Sequence, residues 1–465
     1  MKALIDALRH SLKEAGLLRP DARLLCGVSG GCDSVALLHA LCALQKEIPF
    51  SVFVCHVQHD LRGESSRQDE QFVRRLCSKL GVALQVENAG LNGSMHTPGM
   101  ETLARERRRM IFLSQMERLS ADALLTAHHR GDQAETVLMH LLRGSGMEGL
   151  CGMKPLSPFG RGVLLRPFLS LSKEQLASAV SDYCEDGSNF EPVTPRNILR
   201  LNILPELERL YPGASEHIAN TAQTLAADEA FLSLQAEALY QSALYSIPPL
   251  FALKREPLVH SPEALVRRVL RRWWQDGLKV AGLSPDEHSL SRSDTLQLFS
   301  LIDQPSGTCC NLPSNLAAQA GTVFLYLMHQ SGEPLTSSEA FCFPPVQVPV
   351  NLPHLSIHQE SASGELPHST EEIILTPELL ALEPVFRPIR PDDRIHPLGA
   401  PGSKPLRRFL TDRKIDLPLR SALTVLACGS DVWWIPSLCT AELLRLNTIP
   451  DGSVRLRGAH SFLPH

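Results

Sequence analysis

Leu24-Leu25-Cys26-Gly27-Val28-Ser29-Gly30-Gly31-Cys32-Asp33-Ser34 runs from an apolar stretch through a Ser-Gly-Gly turn into a helical pattern. Residues 24–28 read as a buried strand and 34–45 as a helix, so the turn joins a strand to a helix. Its two glycines let backbone N–H groups approach an anion, Ser29 and Ser34 add hydroxyls, and the helix start supplies the positive end of a dipole. That is a phosphate site. Asp33 adds a condition, because a carboxylate beside phosphate is repulsive unless Mg²⁺ stands between them; a metal–polyphosphate complex with Asp33 on the metal is the economical reading. The lysine of a Walker-A loop is absent, which argues against an ordinary NTPase that cleaves the γ-phosphate. A plain turn before a helix is the alternative.

Working outward, residues 51–57 read as a strand, 65–80 as a helix and 83–87 as a strand. Residues 101–118 read as a very basic helix, 124–128 as a strand and 133–143 as the helix behind it. This alternation predicts an α/β fold with a doubly wound parallel sheet. Residues 144–167 read as a loop or hairpin, and 172–184 as a helix capped by Ser172. Helical periodicity then dominates 205–303, where Trp273-Trp274 reads as core rather than as a base-stacking platform. Residues 343–368 are rich in Pro, Ser and Glu. Short strand-like runs at 422–427 and 432–435 suggest a small α/β or mostly β C-terminal domain. The expected division is a nucleotide-binding catalytic domain over 1–205, a helical substrate-binding domain over 206–342, a linker over 343–384 and a C-terminal domain over 385–465.

At 465 residues, 43% hydrophobic and 20% charged, the chain is too apolar for disorder and long enough for about three domains. No run approaches the roughly 18 apolar residues of a membrane span, and residues 1–14 mix charges among their apolar positions. No membrane association and a cytoplasmic location are expected. The 12 cysteines are scattered without a C-x-x-C pair, which suggests buried thiols in a reducing compartment. The net charge of −5 argues against a uniformly basic nucleic-acid binder, yet 387–420 carries nine Lys/Arg against four Asp. Segregated charge of that kind leaves room for a nucleic-acid partner.

The turn resembles the PP-loop of the N-type ATP pyrophosphatases, which bind ATP so that its α-phosphorus is attacked and pyrophosphate leaves. The resemblance widens downstream. His56-Val57-Gln58-His59-Asp60-Leu61-Arg62, the stretch from Glu101 to Arg109, and Ala127-His128-His129-Arg130-Gly131-Asp132-Gln133-Ala134-Glu135-Thr136 come first. Leu142-Arg143-Gly144-Ser145-Gly146, Asp186-Gly187-Ser188-Asn189 and Arg196-Asn197-Ile198-Leu199-Arg200 follow. Together they are similar to the ordered motif series of the tRNA(Ile)-lysidine synthetases. Arg387-Pro388-Ile389-Arg390 and Lys404-Pro405-Leu406-Arg407-Arg408-Phe409 resemble that family's C-terminal domain. The family commonly has two adjacent acids in its third motif, whereas here the first of them is Gly131.

The resemblance implies a carbon–nitrogen ligase that adenylates C2 of the wobble cytidine in the CAU anticodon of tRNA(Ile), after which lysine displaces AMP to give lysidine. ATP and Mg²⁺ would be required; tRNA(Ile) and L-lysine would be the partners, with a homodimer as the suggested assembly. Ser29, Gly30, Gly31, Cys32, Asp33, Ser34 and His59 would bind ATP. Asp33, Arg105, Asp132, Glu135 and Arg196 would form the catalytic set, and Arg108 and Arg200 would meet tRNA. In the C-terminal domain Arg387, Arg390, Lys404, Arg407 and Arg408 would grip tRNA phosphates.

Physical chemistry supports these roles and leaves alternatives open. Asp132 and Glu135, three apart at a helix start, face one side and suit an ammonium or Mg²⁺; the resemblance implies lysine binding by the pair, with a metal on Asp132 as the alternative, and one of them could take the proton from the ε-amine. Helix capping is the plainer reading. The Arg105–Arg109 run could be a solvated face, and Arg196 and Arg200 could pair with Asp186 or Glu206. Histidines 56, 59, 128 and 129 fall at strand ends, where a base or ribose explains imidazoles better than zinc does. The rival functions are a PP-loop tRNA thiolase, a small-molecule amide ligase and a non-catalytic tRNA-binding protein.

Overall fold

The computed structural model describes the chain apart from residues 59–63, 91–99, 185–193, 248–249, 286–287, 336–343, 345–349, 353–354, 363 and 461–465. The side chains of 64–66, 101, 247 and 350–352 are likewise outside the description. The chain divides into two compact units, Met1–Ala230 and Phe231–His465.

The first unit contains α1 (Lys2–Glu14), β1 (Arg23–Gly27), α2 (Cys32–Gln45), β2 (Ser51–Gln58), α3 (Glu64–Leu80), β3 (Ala83–Asn88), α4 (Met100–Arg118), β4 (Ala123–Leu125) and α5 (Arg130–Leu142). Then come α6 (Met147–Leu150), β5 (Leu156–Phe159), β6 (Gly162–Leu165), α7 (Lys173–Ala177), α8 (Pro195–Ile198), a π turn (Leu199–Ile203) and α9 (Leu204–Leu210). The strands form one sheet in the order β3-β2-β1-β4-β6-β5. All pairings are parallel except the β5–β6 hairpin.

The period of two explains how β1 is sandwiched. Leu24 and Cys26 join Leu4 and Leu8 of α1 and Leu37 and Leu41 of α2 on one face. Leu25 packs on the other with Phe112 and Met116 of α4. Each fully buried leucine of this kind contributes about 1.5–3 kcal/mol. Gly27 lets the α4 helix close on the sheet: a Cβ there would lie 2.9 Å from Phe112 Cζ. After β3 the chain returns to the far side of β1 to lay down β4, so the winding reverses between β1 and β4. The carboxyl ends of those two strands therefore flank the crevice in which doubly wound sheets bind ligands.

The segment expected as a loop or hairpin contains α6 and the hairpin, whose second strand extends the main sheet. The helix expected over 172–184 is only α7. Ser172 does cap it, reciprocally with Gln175. The chain then leaves the helix, and the Cys184 amide donates to the Gly30 carbonyl at 3.0 Å, which fastens this segment to the Ser-Gly-Gly turn.

The helices expected in the middle of the chain are present, including α10 (Ala214–Ala243) and the helix Glu263–Val280. Trp273 and Trp274 of the latter are buried core. They share this region with a five-stranded antiparallel sheet built from Leu244–Ile247, Leu250–Lys254, Cys309–Asn311, Leu316–Ala320 and Phe324–His329. The linker expected over 343–384 is corrected: Val350–Leu352, Leu355–Ser361 and Glu372–Leu375 are strands of a four-stranded sheet that includes Val454–His460. Their alternating apolar residues, Leu355, Ile357, Ile373 and Leu375, are buried with Trp434. A mixed sheet with its central strands at Thr424–Cys428 and Asp431–Ile435 completes the C-terminal region.

Candidate active site

The turn between β1 and α2 is braced from within. Ser34 Oγ donates to the Gly31 carbonyl at 2.9 Å and accepts from the Ser29 amide at 3.2 Å, and the two hydroxyls are 3.2 Å apart. Gly30 has φ +100°, a conformation that only glycine adopts without strain. No side chain caps α2, whose N-cap is Gly31, so its first amides are available to an anion. His56, buried at the end of β2, bonds through Nδ1 to the Val28 carbonyl at 2.8 Å. It supports the base of the turn.

Asp33 opens the first turn of α2, and its Oδ1 is buried without a hydrogen-bond partner. Burial raises its pKa, and Asp132 adds to this against the lowering fields of His129, Lys173 and Arg200. An orphaned carboxylate oxygen beside uncapped amides fits an ion held jointly by one acid and by phosphate oxygens, the usual habit of Mg²⁺. Among the described residues no group of three potential ligands gathers to hold a metal without such help. Cys32 is a poor nucleophile, since burial and then Asp33 raise its thiol pKa.

From the end of β4 comes a second set. His129 is the N-cap of α5: its Nδ1 accepts from the Gly131 amide at 3.0 Å, while Asp132 Oδ2 accepts from the His129 amide at 3.0 Å. With Nδ1 accepting, the ring carries its proton on Nε2, which lies 3.8 Å from Asp33 Oδ2 and 3.6 Å from Asp132 Oδ2. His129 thus stands between the two acids. Gly131 permits the cap, because a Cβ at that position would meet His129 Cε1 at 2.8 Å.

Asp132 and Glu135 do share a face, and both are buried. They are held by Arg196 and Arg200 rather than open. Arg196 Nε donates to Glu135 Oε2 at 2.8 Å; Arg200 donates through Nε to Glu135 Oε1 at 2.5 Å and through Nη2 to Asp132 Oδ1 at 2.8 Å. Glu206 pairs instead with Arg209, and Asp186 lies outside the described residues. Burial raises the Asp132 pKa but is outweighed by His129, His128, the His129 amide and Arg196, so the net shift is downward. Arg200 sits in the π turn, a widened helical geometry that is rare and concentrates at functional sites.

Of the basic residues of α4, Arg105 and Arg108 lie within electrostatic reach of the same edge. Crowding by the surrounding protein, followed by the charges of Arg105 and Arg196, lowers the pKa of Arg108. Arg109 lies over the Phe159 ring at 5.8 Å instead. His128 is pulled down to about 4, first by burial and then by Arg166, Arg196 and Arg108, against the opposing field of Asp132. Lys173, at the start of α7, is close enough to influence both Asp33 and Cys32. Lys173 and Arg166 are not legible as site residues in the sequence, since neither belongs to a run or a periodic pattern. His59 and the Asp186–Asn189 motif lie outside the described residues.

In the C-terminal region the expected tRNA contacts separate. Arg387 is a correction: it is buried, and its guanidinium is held by Asp393 at 2.6 and 2.9 Å and by the carbonyls of Pro388 and Gly429. It cannot face a phosphate. Lys404 pairs with Asp412 at 2.9 Å and lies 5.2 Å from the Phe409 ring centroid. Arg390, Arg407 and Arg408 are exposed.

Residues 3–207 match the PP-loop domain family, and 385–448 match the TilS substrate C-terminal domain. A tRNA(Ile)-lysidine synthase from Symbiobacterium thermophilum is 31% identical over 97% of this chain and 96% of its own length. The chain belongs to the tRNA(Ile)-lysidine synthase family. Relatives of the same name from Shouchella clausii and Geobacter sulfurreducens are each 30% identical, over 91% and 98% of this chain and 92% and 98% of their own. Membership makes the protein a ligase built on a PP-loop ATP-using domain, as the motif series implied. No described helix is long and apolar enough to cross a membrane.

Proposed function

We propose that the protein joins L-lysine to C2 of the wobble cytidine in the CAU anticodon of tRNA(Ile), with ATP cleaved to pyrophosphate and AMP. One observation carries the nucleotide half of this reading: the unpartnered Asp33 Oδ1 beside the uncapped start of α2. The braced turn from Ser29 to Ser34 and the α2 amides bind phosphate oxygens. Asp33 would hold Mg²⁺, which supplies charge neutralisation on the pyrophosphate. Lys173 and Arg105 balance the remaining negative charge. The cytidine O2 attacks the α-phosphorus and pyrophosphate departs. The deprotonated ε-amine of lysine then attacks C2, loses a proton, and expels AMP together with that oxygen.

Asp132 and Glu135 receive the ammonium of lysine, and Arg196 and Arg200 neutralise the two acids before the amino acid arrives. Both acids have both oxygens engaged, Glu135 by Arg196 and Arg200 and Asp132 by Arg200 and the His129 amide; of the two, Asp132 is the one beside His129 Nε2, and this position favours it as the proton acceptor. Arg390, Arg407 and Arg408 offer charge to the tRNA backbone from the C-terminal region.

The test is mass spectrometry of nucleosides from unmodified tRNA(Ile) incubated with enzyme, ATP, Mg²⁺ and lysine. Cytidine enlarged by one lysine residue is expected; unmodified cytidine or a sulfur-bearing nucleoside would contradict the reading.

A further inference from the structure

Arg166 directly follows β6, and it belongs to none of the motifs that define the site. The parallel register pairs Leu125 with Leu165, and the Thr126 amide donates to the Leu165 carbonyl at 3.1 Å. Arg166 is therefore level with Thr126, at the carboxyl edge where β4 delivers His128 and His129. Its guanidinium is aimed by neutral acceptors: Nη1 donates to the Lys154 carbonyl at 2.7 Å and to Ser157 Oγ at 3.3 Å. Its Nε is buried and has no hydrogen-bond partner. No carboxylate neutralises it among the described residues.

The surroundings are largely cationic, although the field of Asp132 also reaches His128 and Arg196 is paired with Glu135. The field of Arg105 reaches Arg166, those of Arg105 and Arg196 reach Arg108, and those of Arg166, Arg196 and Arg108 all reach His128. Among the described residues no ion pair neutralises Arg105 or Arg108 either. His128 has Nδ1 2.9 Å from Thr126 Oγ1. Burial, chiefly, lowers the pKa of its ring, so it adds no further like charge near neutral pH. A buried donor left without an acceptor is costly, and guanidiniums gathered at one edge without acids of their own favour the approach of an anion.

We propose that Arg166, with Arg105 and Arg108, forms a phosphate-binding site at the carboxyl ends of β4 and β6, and that Arg166 Nε is the donor that completes it. The ligand is a phosphate group, from either the ATP polyphosphate or the RNA backbone next to the reacting nucleotide. The planar fork of arginine suits two phosphate oxygens at once, whereas a lysine offers only a point charge. This extends the proposed function, but the binding measurements below do not depend on lysidine being formed.

The experiment compares the full-length protein with R166A and R166K. Calorimetry with inorganic pyrophosphate should show affinity falling at least tenfold in R166A and recovering only partly in R166K. Two further arms separate the sources of the phosphate. A raised ATP requirement with unchanged tRNA binding assigns the site to polyphosphate; weaker tRNA binding with a salt slope shallower by about one unit assigns it to RNA. A purely structural tie to Lys154 and Ser157 would lower the melting temperature without moving the pyrophosphate affinity, the ATP requirement or the salt slope, and would overturn the proposal. Should R166A fail to fold, R166K decides alone, because it keeps the charge and loses the fork. Wild-type pyrophosphate, ATP and tRNA binding in a folded variant overturns the proposal.

Discussion

The Gly131 amide donates to Nδ1 of His129 at 3.0 Å, and a Cβ on residue 131 would stand 2.8 Å from Cε1 of the same ring. The missing side chain and the folded-back imidazole are one feature. The turn into α5 uses the histidine as its cap, which directs Nε2 between Asp33 and Asp132. Gly131→Ala should therefore displace the ring and lower the rate of pyrophosphate release at least tenfold, with a loss of stability of about 1–2 kcal/mol for the cap. Steady-state kinetics with a melting curve check this; wild-type kinetics would show that the position of His129 is irrelevant.

Glu135 anchors two guanidiniums while buried. Glu135→Gln removes the charge with little change of shape, so Arg196 and Arg200 lose their principal acceptor. The lysine KM should rise by more than tenfold while the ATP KM changes less than threefold. Equal effects on both substrates would mean that the acid only holds the arginines in place and does not serve the amine.

Arg387 and Arg407 illustrate opposite fates for arginines of one basic segment. Arg387→Ala strands the buried Asp393 and should cost about 3–5 kcal/mol, read by denaturant unfolding. Arg407→Ala and Arg408→Ala should leave stability within about 0.5 kcal/mol. Together they should make tRNA binding less salt-dependent, by about 1 in the log–log slope for each phosphate that is no longer neutralised. An unaltered slope would make this face ordinary surface.

His128 links stability to pH. Its pKa drops from 6.5 to about 4 on folding, chiefly through burial, so the unfolded chain binds more protons between those values. Its contribution is present above pH 6.5 and is lost as the pH falls toward 4. In His128→Asn the acid side of the stability profile should be flatter over that window, as measured by thermal melts at stepped pH. A profile parallel to that of the wild type would show that folding leaves the charge of this histidine unchanged.

The nucleotide-binding half of the fold is legible in the sequence because its signals are local. The apolar run of β1, the Ser-Gly-Gly turn and the helix after it are adjacent in the chain, and each has one plausible conformation. The Asp132–Glu135 pair is legible for the same reason, through helical spacing. Its partners are not: Arg196 and Arg200 reach Glu135 across more than sixty residues. Arg166 and Lys173 enter the site through sheet register and a helix cap, neither of which leaves a charge pattern. In the middle of the chain Leu316–Ala320, with three alanines, has little β-branched character, and tertiary packing makes it a strand. Proline content masks the alternation at Leu355, Ile357, Ile373 and Leu375. Arg387 looks like its neighbours because burial cannot be read from charge.

The central claim is that the turn from Ser29 to Ser34 presents the α-phosphorus of ATP for attack. It is tested most directly by following ATP labelled at its α-phosphorus through a single turnover with tRNA(Ile) and lysine, in the wild type and in Asp33→Asn. The wild type should transfer the label first to tRNA and then to free AMP, with pyrophosphate released in equal amount, and Asp33→Asn should release none. Label recovered in ADP, with orthophosphate as the other product, would contradict the account, as would undiminished pyrophosphate release by the variant.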